Sequence, residues 1–169
     1  MEITEENFNY SNLKKWIKDY NHQDKVRFAI YCAELVIDIY ESNHDSKAPR
    51  LCIEAAKDWV ASPTEYNRKA ACAAADRAYA VVAAVAASRA YAVYAAAEAA
   101  EAAAYAAAST ARDNDSANSA CAASAAYAAV AAVAAADRAG GENVKAKIIS
   151  WFRKNDKKNR LRSITTHIK

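Results

Sequence analysis

Glycine and proline are scarce in this chain of 169 residues. The two glycines, Gly140 and Gly141, are adjacent, and the two prolines are Pro49 and Pro63. Loops that hold nucleotide phosphates use several glycines, because their backbone N–H groups must approach the ligand closely. Tight β-hairpin turns also depend on glycine. The shortage therefore argues against a glycine-rich phosphate loop and against a fold built from β-hairpins.

Cysteine is present, but it shows none of the spacings that signal a zinc knuckle or a redox pair. The four residues stand at positions 32, 52, 72 and 121, and no two are separated by two residues. The first ten residues, MEITEENFNY, are polar and acidic and do not resemble a secretory signal. We therefore expect four free thiols that serve as small buried apolar side chains in a reducing, cytoplasmic setting.

Strongly apolar runs are also missing. Residues 116–136 carry no charge over a length that could cross a bilayer, but the run consists mostly of alanine with serines. It contains no leucine, isoleucine or phenylalanine, so its transfer from water into lipid would gain little. We expect no membrane-spanning segment.

Alanine dominates the middle of the chain, where it fills 38 of the 70 positions from 71 to 140. Because alanine is the best helix former and a poor strand former, the predicted fold class is all-α. The expected architecture is a compact bundle of about six or seven helices, some of them long and alanine-rich. The expected helices cover residues 11–20, 24–40, 49–60, 63–111 with a break near Ser88, 120–139 and 142–155.

Local patterns predict several helix boundaries and faces. Pro49 suits the first turn of a helix. Residues 62–65, Ser-Pro-Thr-Glu, match a capping box in which Ser62 caps a helix that begins at residue 63. After residue 155 we expect a frayed tail. The helix over 49–60 is expected to turn five side chains inward: Leu51, Ala55, Ala56, Trp59 and Val60.

A stripe of larger side chains runs through the alanine-rich residues 90–108. Its members recur at steps of three, four, three and four residues, which places them on one narrow helix face: Tyr91, Tyr94, Glu98, Glu101 and Tyr105. If this stripe faced the core, two carboxylates would be buried among alanines at considerable cost. We therefore expect it to face outward. Tyrosines beside carboxylates suit a surface that binds a basic protein partner, and the alternative is a solvated face without a partner.

Acidic side chains in the first half of the chain are candidates for a metal or catalytic site. Glu34, Asp38 and Glu41 share one helix face, and Glu41 with His44 has the Glu-x-x-His spacing of di-iron bundles. Such a site needs two of these motifs and further glutamates, and His44 falls in an expected loop. Arg50 with Glu54, four residues on, is more simply an ion pair. We expect no catalytic residue, no metal site, no cofactor and no enzymatic activity.

Positive charge is concentrated at the C-terminal end. Residues 1–70 and 71–140 each carry a formal net charge of −2, whereas residues 141–169 carry +7. The simpler interpretation is an amphipathic helix that packs its apolar residues, Ile148, Ile149, Trp151 and Phe152, on the body. The alternative is a nucleic-acid-binding segment that grips a phosphate backbone. Its candidate contacts are Lys145, Lys147, Arg153, Lys154, Lys157, Lys158, Arg160 and Arg162.

Residues 26–60 contain a series of short elements with a family resemblance. These elements are Cys32-Ala33-Glu34, Tyr40-Glu41, Pro49-Arg50, Ile53-Glu54-Ala55-Ala56 and Trp59. Together with the alanine-rich helices that follow, they resemble the all-helical immunity proteins of bacterial polymorphic-toxin loci, immunity family five. The resemblance covers about residues 10–140.

The resemblance implies a cytosolic, non-enzymatic inhibitor that binds and neutralises a protein partner, either a toxin or a defence nuclease. We expect an immunity-like helical bundle over residues 1–141, followed by a basic C-terminal helix and tail over residues 142–169. The same design would suit a phage-encoded inhibitor of a bacterial defence system, such as an anti-CRISPR. The identity of the partner and the oligomeric state stay open.

Overall fold

The structure is a computed structural model that describes residues 6, 8, 16, 17, 20–86, 103 and 144–166, without the side chains of 79–86 and 156–166. These residues form four helices: α1 (His22–Glu41), α2 (Ala48–Ala61), α3 (Glu65–Ala86) and α4 (Val144–Thr166). No strand occurs among them, so the all-α prediction is confirmed for this part of the chain. The proposed break near Ser88 and the helix over 120–139 lie outside the described residues.

Helix α1 begins where the sequence offers a side-chain cap. The side-chain Oδ1 of Asn21 accepts a hydrogen bond of 2.8 Å from the backbone N–H of Asp24, which satisfies one of the free donors at the helix start. Asp24 also pairs with Arg27 at 2.7 Å. Most of the helix is covered by its neighbours, and its buried apolar residues are Val26, Phe28, Ala29, Ile30, Cys32, Ala33, Val36, Ile37 and Tyr40.

Helix α2 has Pro49 in its first turn, as predicted, and runs antiparallel to α1. Gln23 at the start of α1 donates a 2.8 Å hydrogen bond to the carbonyl oxygen of Val60 at the end of α2. The prediction that Leu51 faces inward was wrong, because 51% of its surface is exposed. The buried face of α2 follows the spacing Pro49, Cys52, Ile53, Ala56 and Trp59, and Leu51 lies outside this arc.

The predicted capping box at residues 62–65 was also wrong. The backbone N–H of Ser62 donates to the carbonyl oxygen of Asp58 and so ends α2. Helix α3 begins only at Glu65, and its cap is Thr64, whose Oγ1 accepts from the backbone N–H of Asn67 at 3.2 Å. Because the backbone of Ser62 still belongs to the end of α2, the next residue with a hydroxyl, Thr64, caps α3 instead.

Helix α3 packs against α2 through alanine. Ala71, Ala74, Ala75 and Ala78 are buried at regular helical spacing, and such small side chains allow two helix axes to approach closely. Asn67 strengthens the connection, because its side-chain amide donates to the carbonyl oxygen of Ser62 at 2.8 Å. The three-residue connection and this packing make α2 and α3 a helical hairpin.

Helix α4 is longer than predicted and continues to Thr166. The frayed tail that we expected after residue 155 is therefore helical as far as Thr166. This is consistent with its sequence, which is rich in lysine and arginine and lacks glycine and proline. Its buried residues are Val144, Ile148, Ile149 and Phe152. Phe152 and Trp151 place their rings 5.0 and 4.9 Å from that of Phe28 in α1. The helix thus packs on the body through the predicted apolar residues.

One apolar core joins the four helices and includes Phe8, Ile17, Tyr20 and Ala103 from the other described residues. Its three largest fully buried side chains, Tyr40, Phe28 and Phe152, come from α1 and α4, whereas the buried residues of α3 within 65–78 are alanines. None of the helices in the described ranges is long and apolar enough to cross a membrane. The uncharged run over 116–136 falls outside those ranges.

Candidate functional site

All five residues of the tyrosine and glutamate stripe lie outside the described residues: Tyr91, Tyr94, Glu98, Glu101 and Tyr105. The structure describes one position within this stretch, Ala103. It is helical and fully buried in the core. Its placement gives a reference point for the faces of the segment around it.

Two acidic residues of the family-like motif, Glu34 and Glu41, form ion pairs between α1 and α2. The Arg50 guanidinium donates to the Glu41 carboxylate through two nitrogens, with Nε 3.0 Å from Oε1 and Nη2 bonded to Oε2. This two-pronged geometry suits arginine and carboxylate. The hydrogen bond from Arg50 lowers the pKa of Glu41, and the same bond raises the pKa of Arg50.

Further contacts extend the pairing along the same helix faces. Lys57 of α2 lies 2.6 Å from the Glu34 carboxylate of α1, and Arg50 reaches Asp38 at 3.4 Å. The predicted pair of Arg50 with Glu54 does not form, because the guanidinium turns toward α1 and Glu54 is exposed. Glu34, Asp38 and Glu41, which recur at steps of four and three residues, thus connect α1 to α2 through ion pairs.

Three further motif residues are packed in the interior. Cys32, Pro49 and Trp59 are all buried, and the Trp59 ring stands edge-on to His22 with 5.3 Å between centroids. Burial raises the pKa of the Cys32 thiol, so it stays protonated. Cys52 is buried as well, whereas Cys72 is half-buried. The position of Cys121 is outside the described residues.

The Glu-x-x-His spacing of Glu41 and His44 leads to no metal-binding geometry in this region. The Glu41 carboxylate is occupied by Arg50, with Lys47 3.8 Å away. The His44 ring stacks on Tyr40 at 5.1 Å between centroids. Within the described part of the chain, no three histidine, cysteine or acidic side chains are grouped so that they could hold a metal ion.

The basic residues of α4 divide into two groups. Lys145 is half-buried and its Nζ lies 5.8 Å from the centroid of the Phe8 ring, which is a cation–π distance. Lys147, Arg153 and Lys154 are exposed on the helix. Lys157, Lys158, Arg160 and Arg162 follow on the same helical backbone, and their side chains lie outside the description.

Three features of possible functional interest were not predicted. Leu51 and Tyr66 are the exposed large apolar residues among those described, with 51% and 81% of their surfaces accessible. The hydroxyl of Tyr40 is buried and has no hydrogen-bond partner within the described residues. The sequence could have predicted only the exposure of Tyr66, because this residue is the second of α3 and the side chains around it in the first turn are polar.

Comparisons with protein-family models, with curated proteins and with solved structures find no match to this chain. The resemblance to immunity family five therefore stays a prediction from the motif residues. What the geometry adds is a role for most of those residues as interior packing or as ion pairs between α1 and α2.

Proposed function

We propose that this chain is a non-enzymatic inhibitor of the immunity type, which binds and neutralises a protein partner. The partner would be a toxin or a defence nuclease. The binding face would be the stripe of Tyr91, Tyr94, Glu98, Glu101 and Tyr105 in the alanine-rich segment. A phage-encoded inhibitor of a bacterial defence system, such as an anti-CRISPR, would use the same face and the same mechanism.

The observation that carries this proposal is the burial of Ala103. This residue lies two positions from both Glu101 and Tyr105, and two residues correspond to about 200° around an α-helix. With Ala103 fully buried in a helical conformation, helical periodicity favours an outward direction for these two neighbours. It supports an exposed stripe in which the alanines supply the packing.

A second observation supports different roles for the two halves of the chain, one as a scaffold and the other as the binding face. Among the side chains of α3 that the structure describes, residues 65–78, the buried ones are alanines, whereas Lys69, Asp76 and Arg77 are exposed. The same rule, continued along the alanine-rich sequence, would place tyrosines and glutamates at the surface. Because the motif residues of α1 and α2 are engaged with each other, that half serves as a scaffold for the proposed face.

Tyrosine and glutamate together favour a basic partner surface. Tyrosine supplies a large contact area with little loss of rotamer freedom, and it is enriched at the residues that dominate binding energy. Carboxylates at the edge speed association with a positively charged protein and select against acidic ones. An inhibitor of a nuclease could therefore cover the basic surface with which that enzyme holds nucleic acid.

Affinity capture from the organism that encodes the chain tests the proposal, with two variants that each remove one tyrosine and two acidic residues. Y94A/E98A/E101A changes the stripe, and E54A/D58A/Y66A changes exposed residues of α2 and α3. We expect one protein to be captured by the wild type and the α2–α3 variant but lost from the stripe variant. The captured protein, once purified, should lose its activity when one equivalent of the wild-type chain is added.

Two results would refute the proposal. Capture of the same partner by the stripe variant would show that the stripe is only a solvated surface. A captured partner whose activity is unchanged by the chain would show binding without neutralisation. Circular dichroism of each variant establishes that the helical fold is retained, which is expected because alanine favours helix.

A further inference from the structure

Helix α4 carries an unusual density of positive charge. Between Val144 and Thr166 the sequence holds eight lysines and arginines and one acid, Asp156, for a net charge of +7. A helix of 23 residues is about 34 Å long at 1.5 Å per residue. Averaged over this length, there is about one basic residue per 4 Å of the helix axis.

The helix is also fixed on the body, because its first half is anchored by apolar and polar contacts. Ile148, Ile149 and Phe152 are buried, and Trp151 packs its ring against Phe28. The Tyr31 hydroxyl donates to the carbonyl oxygen of Lys147 at 3.0 Å. These contacts fix which face of the first half of α4 is turned toward the solvent.

The spacing of the basic residues continues beyond the anchored half. Lys147, Lys154 and Lys158 follow one another at steps of seven and four residues, and Arg153, Lys157 and Arg160 at steps of four and three. Residues with these spacings share a face of a helix. Because the helical backbone extends to Thr166, the first set covers positions 147–158 and the second 153–160 of one continuous helix instead of reaching into a frayed tail.

We propose that α4 is a nucleic-acid-binding helix that contacts the phosphate backbone of a duplex through Lys147, Lys154 and the basic residues that follow. A lipid surface fits less well, because the helix uses its apolar residues to pack on α1 and has no apolar face left for insertion in the anchored half. The surface of an acidic protein carries charges of both signs, whereas every unit of a nucleic-acid backbone is negative, which suits a helix with one acid among nine charged residues. The major groove also admits an α-helix of this width. This binding is independent of the partner proposed for the tyrosine and glutamate stripe.

The test measures binding of the full chain to a fluorescein-labelled duplex DNA of about 20 base pairs at salt concentrations from about 50 to 200 mM. The variant K147Q/K154Q removes two exposed lysines of α4. The matched control K47Q/K69Q removes two lysines that are 66% and 72% exposed on other helices or their ends. Both variants lower the net charge by two, and the two control lysines also lie 3.8 and 3.9 Å from the carboxylates of Glu41 and Glu65.

We expect the wild type to bind with a steep salt dependence. In K147Q/K154Q the slope of log K against log salt should be smaller by about 1.8, since each phosphate contact contributes about 0.9. The control should keep the wild-type slope. The proposal is overturned if the wild type does not bind the duplex at about 50 mM salt, or if both variants lose the same slope.

A competition experiment distinguishes nucleic acid from an acidic protein as the ligand. Unlabelled duplex DNA and polyglutamate are added at equal concentrations of negative charge to the complex with labelled DNA. We expect the duplex to displace the label and polyglutamate to leave most of it bound. Equal displacement by both would overturn the proposal, because α4 would then act as a general site for acidic polymers, proteins included.

Discussion

The phenol hydroxyl of Tyr31 in α1 donates a hydrogen bond to the backbone carbonyl oxygen of Lys147 in α4, with 3.0 Å between the two oxygens. The two residues are separated by 116 positions in the sequence. Burial is the main reason that the pKa of Tyr31 is raised, with smaller effects from Cys32 and Glu34. The hydroxyl therefore keeps its proton and remains a donor throughout the ordinary pH range.

Two tyrosines of α1 allow this bond to be tested by the same substitution. Y31F removes a hydroxyl that has a partner, and we expect the free energy of unfolding to fall by about 0.5–1.5 kcal/mol. Y40F removes a buried hydroxyl that has no partner within the described residues, so stability should stay the same or rise by about 1 kcal/mol. Urea denaturation followed by circular dichroism measures both values.

The two variants control each other, because each deletes one oxygen from a partly or fully buried ring. A loss of stability in Y40F as large as in Y31F would show that the Tyr40 hydroxyl has a partner after all. An unchanged Y31F would mean that the bond to Lys147 does not contribute to holding α4 on α1.

The Arg50–Glu41 pair predicts a dependence of stability on pH. The pKa of Glu41 is lowered from 4.5, mainly by the hydrogen bond from Arg50. A carboxyl whose folded pKa lies below its unfolded value stabilises the fold above the unfolded pKa, and this contribution disappears as pH falls through the folded pKa. The variant E41Q should therefore be less stable than the wild type at pH 7, and the difference should shrink below about pH 4.5.

The exposed Glu54 provides the control, because it forms no salt bridge with another described residue and acts on Arg50 only as a nearby charge. E54Q should lower the stability at pH 7 less than E41Q does, and both variants are compared with the wild type between about pH 7 and pH 3. Unfolding midpoints in urea across this range measure both variants. A gap between E41Q and the wild type that stays constant with pH would contradict an ionic role for the pair.

The sequence predicted α1 and α2 to within two residues at each end, because both have clear apolar periodicity and α2 has Pro49 in its first turn. The inward face of α2 was less predictable, and Leu51 is the example. A leucine can lie on either side of a helix, and its burial depends on which neighbour covers it. How the helices cross determines which neighbour covers the leucine, and the sequence of one helix does not contain this information.

The contacts of the motif residues show the same limit. Spacing along one helix suggested Arg50 with Glu54, whereas the guanidinium pairs with Glu41, nine residues earlier in the sequence and on another helix. The position of α1 beside α2 decides this choice. Likewise, Ser62 has a good capping sequence, but the end of the preceding helix already uses it. The stripe at Tyr91–Tyr105, which lies outside the described residues, remains a prediction of helical periodicity.

The alanine contact between α2 and α3 predicts sensitivity to added volume. Ala75 is fully buried and Ala73 is exposed, because residues two positions apart in a helix lie on nearly opposite sides of it. Replacing a buried alanine by leucine forces the helices apart or the side chain into strain, so A75L should lower the free energy of unfolding by about 1–3 kcal/mol. A73L adds the same atoms at the surface and should change stability by less than about 0.5 kcal/mol.

Urea denaturation measures both leucine variants under identical conditions. Equal effects in A75L and A73L would contradict close packing of α3 against the core. A stabilised A75L would indicate that the contact contains unfilled space, which is the opposite of the arrangement expected where small residues bring helices together.

Burial also predicts which cysteines react with a thiol reagent in the native protein. Cys32 and Cys52 are buried, and burial raises the pKa of Cys32, whereas Cys72 is half-buried. Because the thiolate is the reactive form and must reach the reagent, Cys32 and Cys52 should label at least about a hundredfold more slowly than Cys72.

The variant C121A removes the thiol outside the described residues, and mass spectrometry of peptides locates the label. C72A/C121A should then show almost no labelling until denaturant is added. Fast labelling of Cys32 in this double variant would mean that α1 opens readily, which the fully packed core around it does not allow.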